Sequence, residues 1–196
     1  MCIRDRSIAD DTGFIAIYPQ GTLLPATGQT HWNVGGWTTS STTDDVGFIN
    51  SVINFLNDEY SIDPKRIYST GMSNGGYMSF KLACDLSSRI AAVVSVTGSM
   101  TNQTFDGCNP SHSTSVAQIH GLQDTVVSYA GNGFSKPIEE VMDYWVSNNN
   151  CESEPDTSEI SGSNGGGTHD VYSGCDNETN VELYLICLLY TSDAAD

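Results

Sequence analysis

Basic side chains are scarce: the 196 residues hold 7 Lys and Arg against 24 Asp and Glu, a formal net charge of −17 at pH 7. Nucleic acids and anionic membranes are held through phosphates that need a basic surface, so neither is an expected partner. The acidity itself reads as a solubility device. No run of about eighteen apolar residues occurs, the length that a bilayer-spanning helix requires. No basic segment followed by an apolar stretch opens the chain, so no signal peptide is legible in it as it stands. Cys-x-x-Cys is absent and only 4 His occur, which gives a zinc site no ligand set. Neither metal nor cofactor is therefore expected. What is present, 38% hydrophobic residues with 19 Gly and 6 Pro, is a globular composition sufficient for one domain with a real core.

The two ends have a peculiar relation. Cys187 to Ser192, CLLYTS, can be encoded by TGTCTCTTATACACATCT, whose reverse complement read from its ATG gives Met1-Cys2-Ile3-Arg4-Asp5. Both ends thus resemble translations of opposite strands of the transposon end used in preparing sequencing libraries. The expectation is that residues 1–6 and 187–196 are sequencing-adapter artefacts flanking a partial catalytic domain, residues 7–186. The cysteines native to that domain are then Cys84, Cys108, Cys151 and Cys175, whose presence fits an oxidising compartment. Sequence alone allows them three connectivities.

Along this span, apolar runs alternate with helix-period segments. Phe14–Pro19, Arg66–Thr70, Ala91–Val96, Val116–His120, Val171–Tyr172 and Val181–Ile186 read as strands, the first of them buried. Helices are predicted from Asp44-Asp45 to about Tyr60, over Gly75–Leu86 and over Ile138–Asn149. Val46, Ile49, Val52, Ile53 and Leu56 share one face of the first. Asp44 and Asp45 read as helix caps rather than a metal pair. Ser161 to Gly167 reads as a flexible loop. Strands alternating with helices predict an α/β fold, a mostly parallel sheet with helices on both faces.

Gly71-Met72-Ser73-Asn74-Gly75 matches G-x-S-x-G between a predicted strand and a predicted helix, the context of a nucleophile elbow. A serine on such a turn needs small neighbours so that the strand and helix backbones can approach. Ser73 is thereby the candidate nucleophile, and the Asn74 backbone N–H an oxyanion donor at a helix N-terminus. A serine nucleophile also requires a base and a carboxylate to orient it, in the chain order Ser, Asp, His. Asp124, after the strand ending at His120-Gly121, is the candidate acid; Asp106 in a loop and Asp143 in a helix are weaker rivals. Among the histidines, His31 precedes the serine and belongs to a loop near the cleft, His112 lies in a serine-rich loop, and His120 packs at a strand end. His169 alone has the right order, yet strands follow it, and a base normally sits beyond the last strand. The expectation is a base missing from residues 7–186, with His169 the internal alternative. Trp32, Trp37 and Tyr77 are candidate cleft aromatics, and Trp145 a core residue.

These residues, together with Gly13-Phe14 to Gly21, Trp32-Asn33, Asp44 to Ile49, Tyr60 to Tyr68, Leu82-Ala83-Cys84, Ile119-His120-Gly121 with Asp124, and Cys175, resemble the polyhydroxybutyrate depolymerase-type esterase family. That family includes feruloyl and acetylxylan esterases. The resemblance implies an α/β-hydrolase fold, secretion, and hydrolysis of carboxylic esters through Ser73 and Asp124. The implied substrates are a polyhydroxyalkanoate-type polyester or feruloyl and acetyl esters of plant polysaccharide. Separately from the resemblance, a monomer is the expectation. The resemblance also favours Cys84–Cys108 and Cys151–Cys175, pairings that close local loops. Two family elements are not seen: an upstream His-Gly strand, and a Gly-Gly-His-x-Trp-Pro segment carrying the catalytic histidine. Residues 1–196 alone are accordingly expected to be nearly inactive. The competing readings are a non-catalytic relative that binds a polymer and a serine peptidase of the same fold.

Overall fold

A computed structural model describes residues 3–162 and 165–187, with side chains from residue 7 onward. Most of the two terminal segments expected to be foreign, and the centre of the Ser161–Gly167 loop, lie outside the described residues.

The elements run in order as α1 (Ile3–Thr12), β1 (Thr22–Leu23), β2 (Thr30–His31), α2 (Asp45–Tyr60), β3 (Tyr68–Met72), α3 (Asn74–Asp85) and β4 (Ala92–Val96). They continue as α4 (Asn102–Gly107), β5 (Ser115–Gly121), α5 (Ile138–Asn148), β6 (Asp156–Ile160), β7 (Gly167–Tyr172) and β8 (Val181–Ile186). Six strands form one sheet in the order β3-β4-β5-β8-β7-β6. The first four are parallel, whereas β7 and β6 are antiparallel additions. This is the mostly parallel sheet with crossover helices that the alternating pattern predicts.

The sheet's two faces are covered unequally. Val93, Ser95, Val116, Gln118, His120, Val181 and Leu183 are buried, and, Gly121 apart, their neighbours along each strand are only half-buried. On the buried side Phe80 of α3 stacks on Trp145 of α5, with ring centroids 6.3 Å apart. Both rings are fully buried, each removing about 2–3 kcal/mol worth of apolar surface from water. Asp44 caps α2 by accepting from the Gly47 N–H at 2.8 Å, so the first carboxylate of the Asp-Asp pair works as a cap. Asp45 is buried and accepts from the Asn33 N–H at 2.6 Å. The structure joins Cys84 to Cys108 and Cys151 to Cys175.

One predicted strand is not there. Phe14–Pro19 makes no strand, and Phe14, Ile15, Ile17 and Tyr18 are exposed. A strand exists only by pairing, and β3, an edge of the sheet, does not pair with this segment. The expected buried strand is therefore neither a strand nor buried: apolar composition alone cannot supply the neighbouring strand that would pair with it and cover it. Other differences are small or additive. The elbow strand runs two residues further than predicted, to Met72, directly against Ser73. The strand predicted at Val171-Tyr172 begins at Gly167, paired with the unforeseen β6.

Candidate active site

Ser73 sits between β3 and α3 with φ 51° and ψ −119°, a left-handed-side conformation that L-residues with a side chain adopt only when the surroundings impose it. Its N–H donates to Val96 O at 2.9 Å, which ties the turn to the end of β4. Its C=O accepts from Gly76 N at 2.8 Å and Tyr77 N at 3.1 Å, which starts the helix. The tight turn depends on two glycines. A β-carbon at Gly71 would lie 2.5 Å from the Gly75 carbonyl carbon, and one at Gly76 would lie 2.6 Å from Ser95 Oγ. At Gly75 the space is open. As the first residue of α3, Asn74 presents an N–H with no intrahelical acceptor.

The Asn74 side chain has a role that sequence reasoning missed. Its Oδ1 accepts from Trp32 N at 2.6 Å and its Nδ2 donates to Trp32 O at 3.1 Å. This two-point clip fastens the loop after β2 to the residue following the serine. No local signal could reveal it, because the partners are 42 residues apart.

Asp124 lies in the turn after β5 and is buried. Its Oδ1 accepts from the Val126 and Val127 N–H groups, each at 2.9 Å, while Oδ2 is buried and has no hydrogen-bond partner among the described residues. Leaving a carboxylate oxygen unpaired in a buried place is costly, so Oδ2 is an acceptor open to any hydrogen-bond donor. The end of β8 passes beside this turn: Ile186 pairs with Gly121 and its C=O accepts from Leu122 N at 3.0 Å.

His120 is fully buried beneath the same turn. Its Nε2 meets Val127 O at 2.8 Å, and its Nδ1 meets Gln118 Nε2 at 2.8 Å. A carbonyl can only accept and an amide NH2 can only donate, so the ring is the neutral Nε2–H tautomer. Gln118 Nε2 also donates to Gly98 O at 2.9 Å, extending the chain of bonds to the segment packed against Gly76. Burial lowers the His120 pKa below its ordinary value, against the opposing pull of the Val127 carbonyl and the Asp124 charge.

Ser73 opens onto a cavity of about 350 Å³, walled among others by His31, Trp37, Tyr77, Val127 and Phe134. Trp37 meets Tyr77 edge-on at 4.8 Å and Phe134 at 5.6 Å. The Tyr77 hydroxyl shares a 2.7 Å hydrogen bond with Ser135 Oγ. Its phenol pKa is raised by burial, drawn back by that bond, and raised again by the charge of Asp124. Trp37 and Tyr77 are therefore where the sequence places them, whereas Phe134 carries no signal in the sequence. His169 is not among the residues walling this cavity. It lies on β7, with Nε2 2.9 Å from Glu182 Oε2 and its ring stacked on Tyr184 at 3.9 Å. Among the described residues, no group of three or more His, Cys, Asp and Glu side chains is placed to hold a metal ion.

A mostly parallel sheet with a positive-φ serine between strand and helix, at the carboxyl ends of the strands, defines an α/β-hydrolase. Residues 5–111 match the prolyl oligopeptidase family. The chain belongs to that family. Among curated relatives it is 32% identical to feruloyl esterase B of Piromyces equi, over 79% of this chain and 30% of that protein. It is 31% identical to feruloyl esterase D of Neurospora crassa, covering 74% and 47% respectively. A bifunctional acetylxylan esterase/xylanase of Neocallimastix patriciarum is 26% identical over 77% of this chain and 20% of its own length. The chain thus spans less than half of each of these relatives. Among solved structures, an acetyl xylan esterase from Aspergillus awamori superposes with a TM-score of 0.64 over 96% of this chain and 78% of its own, at 16% identity, a likeness of fold.

Proposed function

We propose that the complete protein is a secreted serine hydrolase of carboxylic esters, and that residues 7–186 are part of its catalytic domain. The observation that carries the proposal is Ser73, held at positive φ on a strand-to-helix turn and open to an aromatic-walled cavity. The esterase relatives and the two disulfides support the reading of chemistry and of compartment. Ser73 Oγ attacks the ester carbonyl while a histidine takes its proton, and the Asn74 N–H donates to the oxyanion. The same histidine protonates the departing alcohol, and water then releases the acid from the acyl-enzyme. Asp124 Oδ2 accepts from that histidine and fixes its tautomer. The histidine comes from chain following β8, since β8 ends beside the Asp124 turn and His169 is engaged elsewhere. The substrate is a feruloyl or acetyl ester of plant polysaccharide or a polyester; no cofactor enters the reaction.

A second reading, a serine peptidase, is favoured by the family match over residues 5–111. Matched ester and anilide substrates of one acyl group separate the two. Preferred hydrolysis of the ester supports the esterase, and preferred hydrolysis of the anilide overturns it. Turnover of both without Ser73 would overturn each reading.

A further inference from the structure

Gln118 and His120 are polar and fully buried on the sheet face whose core is Val93, Val116, Val181 and Leu183. Buried polar groups cost free energy wherever a bond goes unmade, and Gln118 Oε1 has no hydrogen-bond partner among the described residues. Two apolar residues would serve the packing of this face better, so the pair answers to something other than packing.

What the pair holds is the turn that carries Asp124. Residues 124–128 form neither helix nor strand, so no ladder fixes their backbone. The Asp124 carboxylate is aimed by the Val126 and Val127 N–H groups that donate to Oδ1, each at 2.9 Å. Val127 is gripped at its C=O as well, where His120 Nε2–H donates at 2.8 Å. The imidazole is held in its turn by Gln118, whose Nε2 donates one hydrogen to Nδ1 at 2.8 Å and the other to Gly98 O at 2.9 Å. Gly98 packs on the elbow helix: a β-carbon there would lie 2.8 Å from the Gly76 carbonyl carbon, and Gly76 N donates to Ser73 O at 2.8 Å. A continuous line of short contacts thus runs inside the fold from Ser73 to Asp124.

We propose that His120 is a positioning residue: it sets the aim of Asp124 Oδ2 relative to Ser73, with Gln118 bracing it. The proposal rests on the esterase reading above, in which Oδ2 accepts from the histidine that activates Ser73. Asp124 is not among the residues walling the Ser73 cavity, so a mis-aimed Oδ2 slows the chemical step and leaves ester binding largely as it was.

The test is made on the intact protein, expressed from the gene amplified through both ends. Hydrolysis of 4-nitrophenyl acetate gives kcat and KM, at a temperature where circular dichroism shows each variant folded. His120→Gln keeps a side-chain N–H that can reach Val127 O, whereas His120→Asn keeps an acceptor for Gln118 and loses that reach. Both leave a buried group unpaired, so a loss of stability is common to the two and cannot separate them. His120→Asn is expected to lower kcat by about ten- to a hundredfold while KM changes by less than about threefold. His120→Gln should restore kcat to about ten times that of His120→Asn. Equal kcat in the two variants overturns the proposal. Should His120→Asn fail to fold, Gln118→Met decides, since it leaves His120 in place and removes the bond to Nδ1: a lower kcat at similar KM supports the proposal, and an undiminished kcat overturns it. In the unsubstituted protein at pH 7.5, 15N NMR should find His120 protonated at Nε2 and bare at Nδ1; a charged ring or the other tautomer also overturns it. Absence of any Ser73-dependent hydrolysis by the unsubstituted protein overturns the esterase reading, and this inference with it.

Discussion

Several buried side-chain atoms near Ser73 have no hydrogen-bond partner among the described residues, among them Asp124 Oδ2, His31 Nε2, Ser95 Oγ, Thr97 Oγ1 and Gln118 Oε1. His120, by contrast, has both ring nitrogens engaged, and its bond to Val127 O supports the residue whose N–H holds Asp124 Oδ1. Its lowered pKa has a measurable sign. The unfolded chain takes up the proton near pH 6.5, the folded chain only at lower pH, so the His120 contribution is whole above about 6.5 and is lost as pH falls through the folded value. Urea unfolding between pH 7.5 and about 5 should show stability declining with acidity, and His120→Gln should flatten that decline. An unchanged slope would mean that His120 does not titrate differently in the two states. At pH 7.5 the same variant should cost about 1–3 kcal/mol, since it leaves buried groups unpaired. The place of Ser73 on a strand-to-helix turn and of Asp124 in the turn after β5 was legible in the sequence, because both are local patterns. The Asn74 clip and Phe134 were not, because each depends on loops far apart in the chain meeting at one cavity.

Among the elements, legibility followed burial. β4, β5 and β8 lie inside the parallel sheet, so their apolar runs read correctly to within a residue. β6 is an edge strand of mostly exposed residues, Asp156–Ile160, without an apolar face to betray it. Phe14–Pro19 shows the converse, a strand-like run with no strand beside it. The elbow itself yields a contrast within one motif. Gly71→Ala should lower the melting temperature by several degrees, because its β-carbon meets backbone at 2.5 Å that cannot swing aside. Gly75→Ala, at an open helical position, should leave it unchanged or raise it slightly. Equal losses from both would show that the motif glycines serve something other than the close approach of strand and helix.

For the whole molecule, two cross-links and a large net charge frame the stability. Each disulfide joins cysteines separated by 24 residues, a loop whose closure in the unfolded chain is worth roughly 3 kcal/mol by chain entropy. Reduction should therefore shift the urea midpoint downward by a large fraction of the total stability of a domain this size. A midpoint insensitive to reductant would contradict the paired state. The sheet face is only half-buried, the Phe14–Tyr18 run is exposed, and β3 is an edge strand. The central proposal is that Ser73 is the nucleophile, activated by a histidine beyond β8 that Asp124 orients. Its most direct test is to amplify the gene from source DNA through both ends, express the protein, and follow hydrolysis of methyl ferulate and an acetylated xyloside. The account expects turnover in the intact protein and a loss of about a thousandfold or more in both Ser73→Ala and Asp124→Asn. Turnover that survives Ser73→Ala undiminished would contradict it.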